Sequence, residues 1–249
     1  MHTGGMRPPA GIVLAALAAC PACLPYSAAV GQTAAPISRG GIEAGVSTGI
    51  GYQRVTEENP DPAQPDDSTT MLALPKLEAN ILYGVSEALG FNLHVSDAGL
   101  QPGVKISAAT TGKVQVAFLP AIAFGMQRSS GEGDKATLTS LLLGGRLLAS
   151  SPNSAYGAIG YDFQRIDQEQ TAATDPTSSD SSTMTIHNLT AAVGYDLPLG
   201  DARLRPELAV VYAPKASTDD DDPMSQDAEW DRLALFVNFT IAVATPSPR

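Results

Sequence analysis

Apolar and polar residues alternate along most of this chain, and the alternation recurs in ten segments between residues 40 and 244. The last segment shows it best, because its even positions are small or polar apart from Phe236. Its apolar positions are Leu233, Leu235, Val237, Phe239, Ile241 and Val243. A repeat of two residues places successive side chains on opposite faces of a β-strand. The pattern therefore predicts an all-β chain with ten strands.

The two faces of the predicted strands differ in composition. One face carries Leu, Val, Ile and aromatic residues, whereas the other carries Gly, Ala, Ser, Thr, Asn and charged residues. A barrel in lipid needs this arrangement, with the apolar face outside and the polar face inside. Gly and Ala on the polar face also suit the crowded interior of a small closed barrel. Since a soluble β-sandwich alternates too, a soluble periplasmic β-protein stays open as an alternative.

The connections between the predicted strands alternate between long and short. The longer and acidic ones cover residues 56–69, 129–135, 167–183 and 215–229. With the N-terminus in the periplasm they all fall outside, and tight turns such as 84–87 and 198–201 fall inside, as is typical of outer-membrane barrels. Lipid offers no partner for a free strand edge, so the sheet must close. We predict a closed antiparallel transmembrane β-barrel of ten strands, or of eight if segment 101–109 and a neighbour are not strands.

The first residues have the pattern of an export signal. Arg7 precedes an apolar run at 10–19, and Pro21 interrupts it before it could span a membrane as a helix. Small residues before Gln32 fit signal-peptidase cleavage after residue 31, while the preceding Leu-Ala-Ala makes Cys20 a candidate for lipidation. The predicted organisation is a signal peptide, a linker, a barrel and a tail, at residues 1–31, 32–39, 40–244 and 245–249.

Charge and motifs exclude several classes of function. The formal net charge is −11, which argues against nucleic acid as a partner. Both cysteines, Cys20 and Cys23, fall within the predicted signal, so disulfides play no part in the mature fold. The mature chain has no phosphate-binding glycine loop and no zinc-ligand spacing, and acidic runs such as 219–222 read as solvated loops. We predict no cofactor and no bound metal.

Two elements resemble those of small proteobacterial outer-membrane β-barrel proteins. Residues 82–90, Leu-Tyr-Gly-Val-Ser-Glu-Ala-Leu-Gly, resemble a hairpin common in these barrels, and the strand at 233–243 resembles their C-terminal assembly signal. The resemblance implies a bacterial outer-membrane location and insertion by the barrel-assembly machinery. It also implies contact with outer-membrane lipid and lipopolysaccharide. It names no solute and no oligomeric state.

One short motif resembles the catalytic motif of outer-membrane lipid A deacylases, in which Ser is the nucleophile, His its base and Glu the orienting acid. It comprises His94 and Ser96. No Glu lies between Glu87 and Glu132, and the alternation places both motif residues on the lumenal face, away from lipid. Omptin-like proteases use an Asp-His pair, but His187 has no adjacent Asp. We therefore predict a protein that is not an enzyme, with deacylase chemistry as the alternative.

Charged residues recur on the predicted lumenal face, with six positive and five negative positions. They are Glu43, Lys76, Glu78, Lys105, Lys113, Arg146, Asp162, Asp196, Arg203, Arg205 and Glu207. Charges enclosed in a narrow barrel are costly unless they pair, so a salt-bridged, filled lumen is favoured over a charged pore. The sequence thus predicts a structural or passive barrel, with a narrow pore for small solutes as the other option.

Overall fold

A computed structural model describes residues 30–57, 66–96, 99–108, 114–131, 134–152, 154–172, 175–220 and 228–245. In these ranges the chain is built from β-strands and the segments that join them. No helix in the described ranges is long and apolar enough to cross a membrane. The predicted signal peptide, apart from its last two residues, and the C-terminal residues 246–249 lie outside these ranges.

The strands follow one another in a single antiparallel sheet. They are β1 (Ile42–Glu57), β2 (Asp67–Gly84), β3 (Leu89–Ser96), β4 (Gly99–Ala108), β5 (Gln115–Gly131), β6 (Asp134–Ser150), β7 (Ala155–Ala172), β8 (Asp175–Tyr195), β9 (Leu197–Leu199), β10 (Ala202–Asp220) and β11 (Ala228–Thr245). The short β9 pairs with β10 below β8, so β8 and β9 act as one strand interrupted at Asp196.

The sheet closes between its first and last strands. β1 pairs with β11 from Ile42↔Thr245 to Glu57↔Trp230, and β11 pairs with β10 on its other side. A closed sheet leaves no edge along its circumference. The predicted closed antiparallel barrel of ten strands is confirmed, and the eight-stranded alternative is wrong because β4 is present and pairs with β3 and β5.

Several strands run further than the alternation suggested. β7 reaches Ala172 and β8 begins at Asp175, so most of the segment expected to be an outer loop at 167–183 is a strand pair. This segment is polar at almost every position and so carries no period-two signal, which is why the sequence predicts a loop there. We call this end the loop end, and the end with the turns near 85–88 and 200–201 the turn end.

The wall of the barrel is apolar outside and polar or small inside. Large apolar side chains are exposed on all ten barrel strands, for example Val46, Leu77 and Phe239. The exception in the last strand, Phe236, is buried inside, and a Cβ on Gly51 would collide with its ring. Glycine on the inner face thus makes room for large side chains from neighbouring strands.

Candidate functional site

The lumen contains the chain's own N-terminal segment. Residues 30–38, which we call the plug segment, run into the barrel, where Val30, Gln32 and Ala34 are buried, while Pro36 and Ser38 at its outer end are exposed. The segment enters at the turn end, where the backbone N–H of Gly40 donates to the carbonyl oxygen of Gly84 at 2.8 Å. Most of the plug segment is the predicted linker, whose location within the lumen the sequence did not reveal.

Side chains from the wall hold the backbone of the plug segment. The Lys105 ammonium on β4 donates to the carbonyl oxygens of Thr33 and Ala35, at 2.7 Å and 2.6 Å. The Ser150 hydroxyl on β6 accepts a 2.7 Å hydrogen bond from the N–H of Ala34. Buried backbone groups need such partners, and here the barrel wall supplies them.

Arg205 on β10 pairs with several groups inside the lumen. Its Nη1 and Nη2 donate to the two carboxylate oxygens of Glu43 at 2.8 Å and 2.9 Å, and its Nε donates to Asp196 at 2.9 Å. Nη1 also donates to the carbonyl oxygen of Gly31 at 2.8 Å. The guanidinium is 2% exposed, so two strands, the β8–β9 break and the plug segment meet on one buried cation.

A second buried acid, Glu207, lies one inward position further along β10. One carboxylate oxygen accepts from the backbone N of Val30 at 2.9 Å and from Asn238 Nδ2 at 3.3 Å. The other accepts from Tyr156 Oη at 3.1 Å. Glu207 is 4% exposed. The carboxylate therefore binds the start of the plug segment to β7, β10 and β11.

The structure places most of the predicted lumenal charges inside the barrel. Glu78, Lys105, Arg146, Asp162, Arg205 and Glu207 are buried, and Glu43 and Asp196 are mostly buried. Arg203 pairs with Asp196 at 3.3 Å but is about half exposed, at the turn end. The side chain of Lys76 and the whole of Lys113 lie outside the described residues. Lys105, Arg205 and Glu207 contact the plug segment directly, and Glu43 and Asp196 pair with Arg205.

Beyond the plug segment, the lumen is filled in two further layers. Arg232 on β11 is buried and donates to Asn188 Oδ1 on β8 at 2.7 Å. Closer to the loop end, apolar side chains point into the lumen and pack together. This cluster comprises Ile166, Met184, Ile186 and Ala213, with Val55 and Leu138 against it. Arg232 was not among the predicted charges, although it shares the inward parity of Ala234, which would have identified it.

His94 has an acidic partner that the sequence motif did not supply. Its Nε2 lies 3.1 Å from Glu78 Oε2, across the β2–β3 pair in which Asn80 stands opposite His94. The resemblance implies a Glu that follows the motif in the sequence, whereas the acid in the structure is Glu78 on the preceding strand β2. Both His94 and Glu78 are largely buried in the lumen.

His187 occupies a different environment. Its Nδ1 lies 2.7 Å from the hydroxyl oxygen of Tyr161, an exposed residue of the outer surface, and its ring packs edge-on against Phe163. These neighbours are aromatic, unlike the Asp-His pair of an omptin-like protease. Within the described ranges, no group of three or more His, Cys, Asp or Glu residues could hold a metal ion.

No protein-family model and no curated protein matches this chain. Solved bacterial barrels are similar to it at low sequence identity. The outer membrane protease OmpT from Escherichia coli has a TM-score of 0.48 and 7% identity, covering 82% of this chain and 97% of that one. The outer membrane protein OprG from Pseudomonas aeruginosa has a TM-score of 0.32 and 11% identity, covering 85% and 99%. The attachment invasion locus protein Ail of Yersinia pestis has a TM-score of 0.30 and 10% identity, covering 80% and 97%. The function of this chain is therefore inferred from its own residues.

Proposed function

We propose that the protein is a bacterial outer-membrane β-barrel with a closed lumen, serving a structural or passive role rather than forming an open pore. The observation that carries the proposal is the plug segment. Its backbone lies in the lumen and is held by Lys105, Ser150 and Arg205 from three different strands. Backbone in the lumen of a ten-stranded barrel leaves little cross-section for solutes.

The outer surface supports a location in lipid. Large apolar residues are exposed on all ten barrel strands, and isolated exposed apolar residues are normal in soluble proteins but a continuous belt is not. Tyr83 and Tyr195 lie toward the turn end, and Tyr52 and Tyr212 lie toward the loop end. Aromatic residues at both borders of an apolar band are typical of membrane barrels. This surface disfavours the soluble periplasmic alternative.

The location and the barrel can be tested on one preparation. Protein expressed with its full leader in a Gram-negative host should be found in the outer-membrane fraction. After extraction in mild detergent, it should migrate differently in SDS gel electrophoresis with and without boiling, because a closed barrel resists unfolding by SDS until it is heated. A soluble periplasmic protein without a mobility shift would contradict the proposal.

A second candidate function rests on the contact between His94 and Glu78, which supplies two members of a possible Ser-His-Glu set. Against it stands the direction of these side chains. They lie in the lumen, whereas the acyl chains of lipid A lie in the membrane outside the barrel wall. The pair is also explained as a buried base and acid that satisfy each other's hydrogen bonds.

Ser96→Ala should therefore leave the acylation of lipid A unchanged, because no reactive role is assigned to this hydroxyl. The measurement is mass spectrometry of lipid A from cells that express the native protein or the variant. Ser107→Ala, which changes a buried serine on the lumenal face of β4, is the matched control. Deacylation by the native protein that disappears in Ser96→Ala, but not in Ser107→Ala, would establish the enzyme instead.

A further inference from the structure

Val30 is built into the barrel as firmly as the residues that follow it. Its side chain is 6% exposed and belongs to an apolar cluster that includes Leu119, Leu148 and Phe236. Its backbone nitrogen is the 2.9 Å donor to the buried carboxylate of Glu207. Contacts on both its side chain and its nitrogen indicate that Val30 belongs to the folded barrel.

Gly31 is equally part of the lumen. Its carbonyl oxygen accepts the 2.8 Å hydrogen bond from Arg205. It has φ +59°, and a Cβ here would lie 3.1 Å from Ser47 Oγ and from Thr240 Oγ1, so both the conformation and the space favour glycine. Cleavage after Gly31, which the leader pattern suggests, would remove a partner from both Arg205 and Glu207.

The sequence offers a second cleavage position two residues earlier. Ser27 and Ala29 are small residues at the third and first positions before Val30, which is the pattern that signal peptidases accept. We infer that the leader is removed between Ala29 and Val30, and that the new α-ammonium group of Val30 is the buried cationic partner of Glu207. This inference extends the closed-lumen proposal, but the cleavage position can be read from a conducting barrel as well.

The covalent step is hydrolysis of one peptide bond by the host's signal peptidase. Water adds across the Ala29–Val30 amide, and the C–N bond breaks. The oxygen of water stays on Ala29, which becomes a carboxylate. The nitrogen of Val30 takes up protons and becomes an ammonium group, the form that α-amino groups hold near neutral pH. No oxidant or reductant is involved.

The new charge suits the place in which it is formed. Glu207 accepts hydrogen bonds from the neutral donors Tyr156 and Asn238, besides the nitrogen of Val30, and the buried guanidinium of Arg146 attracts its carboxylate electrostatically. A buried carboxylate is costly unless it is paired, and an ammonium donor turns a neutral hydrogen bond into a stronger charge-assisted one. An uncleaved leader would bring neither this charge nor a free end. Removal of the leader therefore completes the closure of the lumen.

Intact-mass measurement and N-terminal sequencing test the cleavage position directly. The native protein, expressed with its full leader and purified from the outer membrane of a Gram-negative host, should begin at Val30. A chain that begins at Gln32, one that begins at a lipidated Cys20, or an uncleaved chain would each overturn the inference.

Labelling of the α-amine tests its pairing. In the folded protein, an amine-acylating reagent at neutral pH should modify the Val30 amine about tenfold more slowly than in the boiled protein. The reagent reacts only with the neutral amine, and an ion pair with Glu207 that favours the ammonium form lowers the neutral fraction about tenfold. Glu207→Gln should recover most of that loss, while Glu87→Gln, which neutralises an exposed turn carboxylate, should not. Equal labelling of folded and boiled native protein would overturn the pairing. So would a folded Glu207→Gln barrel that is labelled as slowly as the native one. If Glu207→Gln does not fold, the native comparison alone decides.

Discussion

Arg205→Ala is expected to lower the free energy of unfolding of the barrel by about 3–5 kcal/mol, because the change breaks a buried ion pair from one side only. The guanidinium is 2% exposed and satisfies Glu43, Asp196 and the carbonyl oxygen of Gly31 together. Its removal takes from Glu43 and Asp196 the buried cation that they share, and Asp196 keeps only the half-exposed Arg203. The effect is measured by urea unfolding in detergent micelles, with the loss of the heat-dependent mobility shift as the readout of unfolding.

Arg203→Ala is the matched control for this prediction. Arg203 is two residues away on the same strand and contacts the same Asp196, but its side chain is 48% exposed. Pairs that water screens contribute about 0–1 kcal/mol, so we expect little change. If the two variants lose the same stability, or if Arg205→Ala loses none, the lumen around Arg205 is hydrated and its charges do not depend on pairing.

The strands could be predicted because their signal is local. Each strand presents one face to the outside and one to the lumen, so adjacent residues differ in polarity, as Val237 and Asn238 do. One exception to the alternation is visible in the sequence itself. Phe236 breaks the pattern, and the structure shows why this is tolerated, since Gly51 on the neighbouring β1 leaves room for its ring. Beyond the apolar band the strands are under no such requirement, so the sequence predicts strands that are shorter than those in the structure.

The position of the plug segment is not a local property. Its residues are small, apolar and weakly polar, with no period, and a linker has the same composition. What buries them is the set of donors that the closed wall turns inward, such as Lys105 on β4 and Arg205 on β10, which are 100 residues apart in sequence. The pairing of His94 with Glu78 escaped prediction for the same reason, because the acid is reached across a strand pair and not along the chain.

Deletion of residues 30–38, with the leader joined to Arg39, is expected to open the barrel to ions. The native protein should show no steady single-channel conductance in planar bilayers, because backbone occupies the lumen at the turn end. Without that backbone, Lys105, Arg205 and Glu207 lose their contacts to it and line the lumen instead. Charged groups that line an open passage favour the entry of ions.

Two further layers bear on the size of the conductance. The Arg232–Asn188 layer and the apolar cluster around Ile166 and Ile186 consist of side chains from the wall. These side chains are buried in the native protein, but deletion of the plug segment opens the lumen beside them to water. Side chains exposed to water change rotamer within nanoseconds, whereas backbone held by several hydrogen bonds does not move on that timescale. We therefore expect small, fluctuating current steps from the deletion variant, where the native protein shows none.

Arg39→Ala is the control for the deletion, because Arg39 is an exposed residue just after the plug segment and its replacement leaves the segment in place. Both variants must first show the heat-dependent mobility shift, so that conductance is compared between folded barrels. Steady conductance from the native protein would contradict a closed lumen altogether. A folded deletion variant that shows no conductance would indicate that the side-chain layers close the barrel by themselves. The plug segment would then stabilise the fold without sealing the lumen.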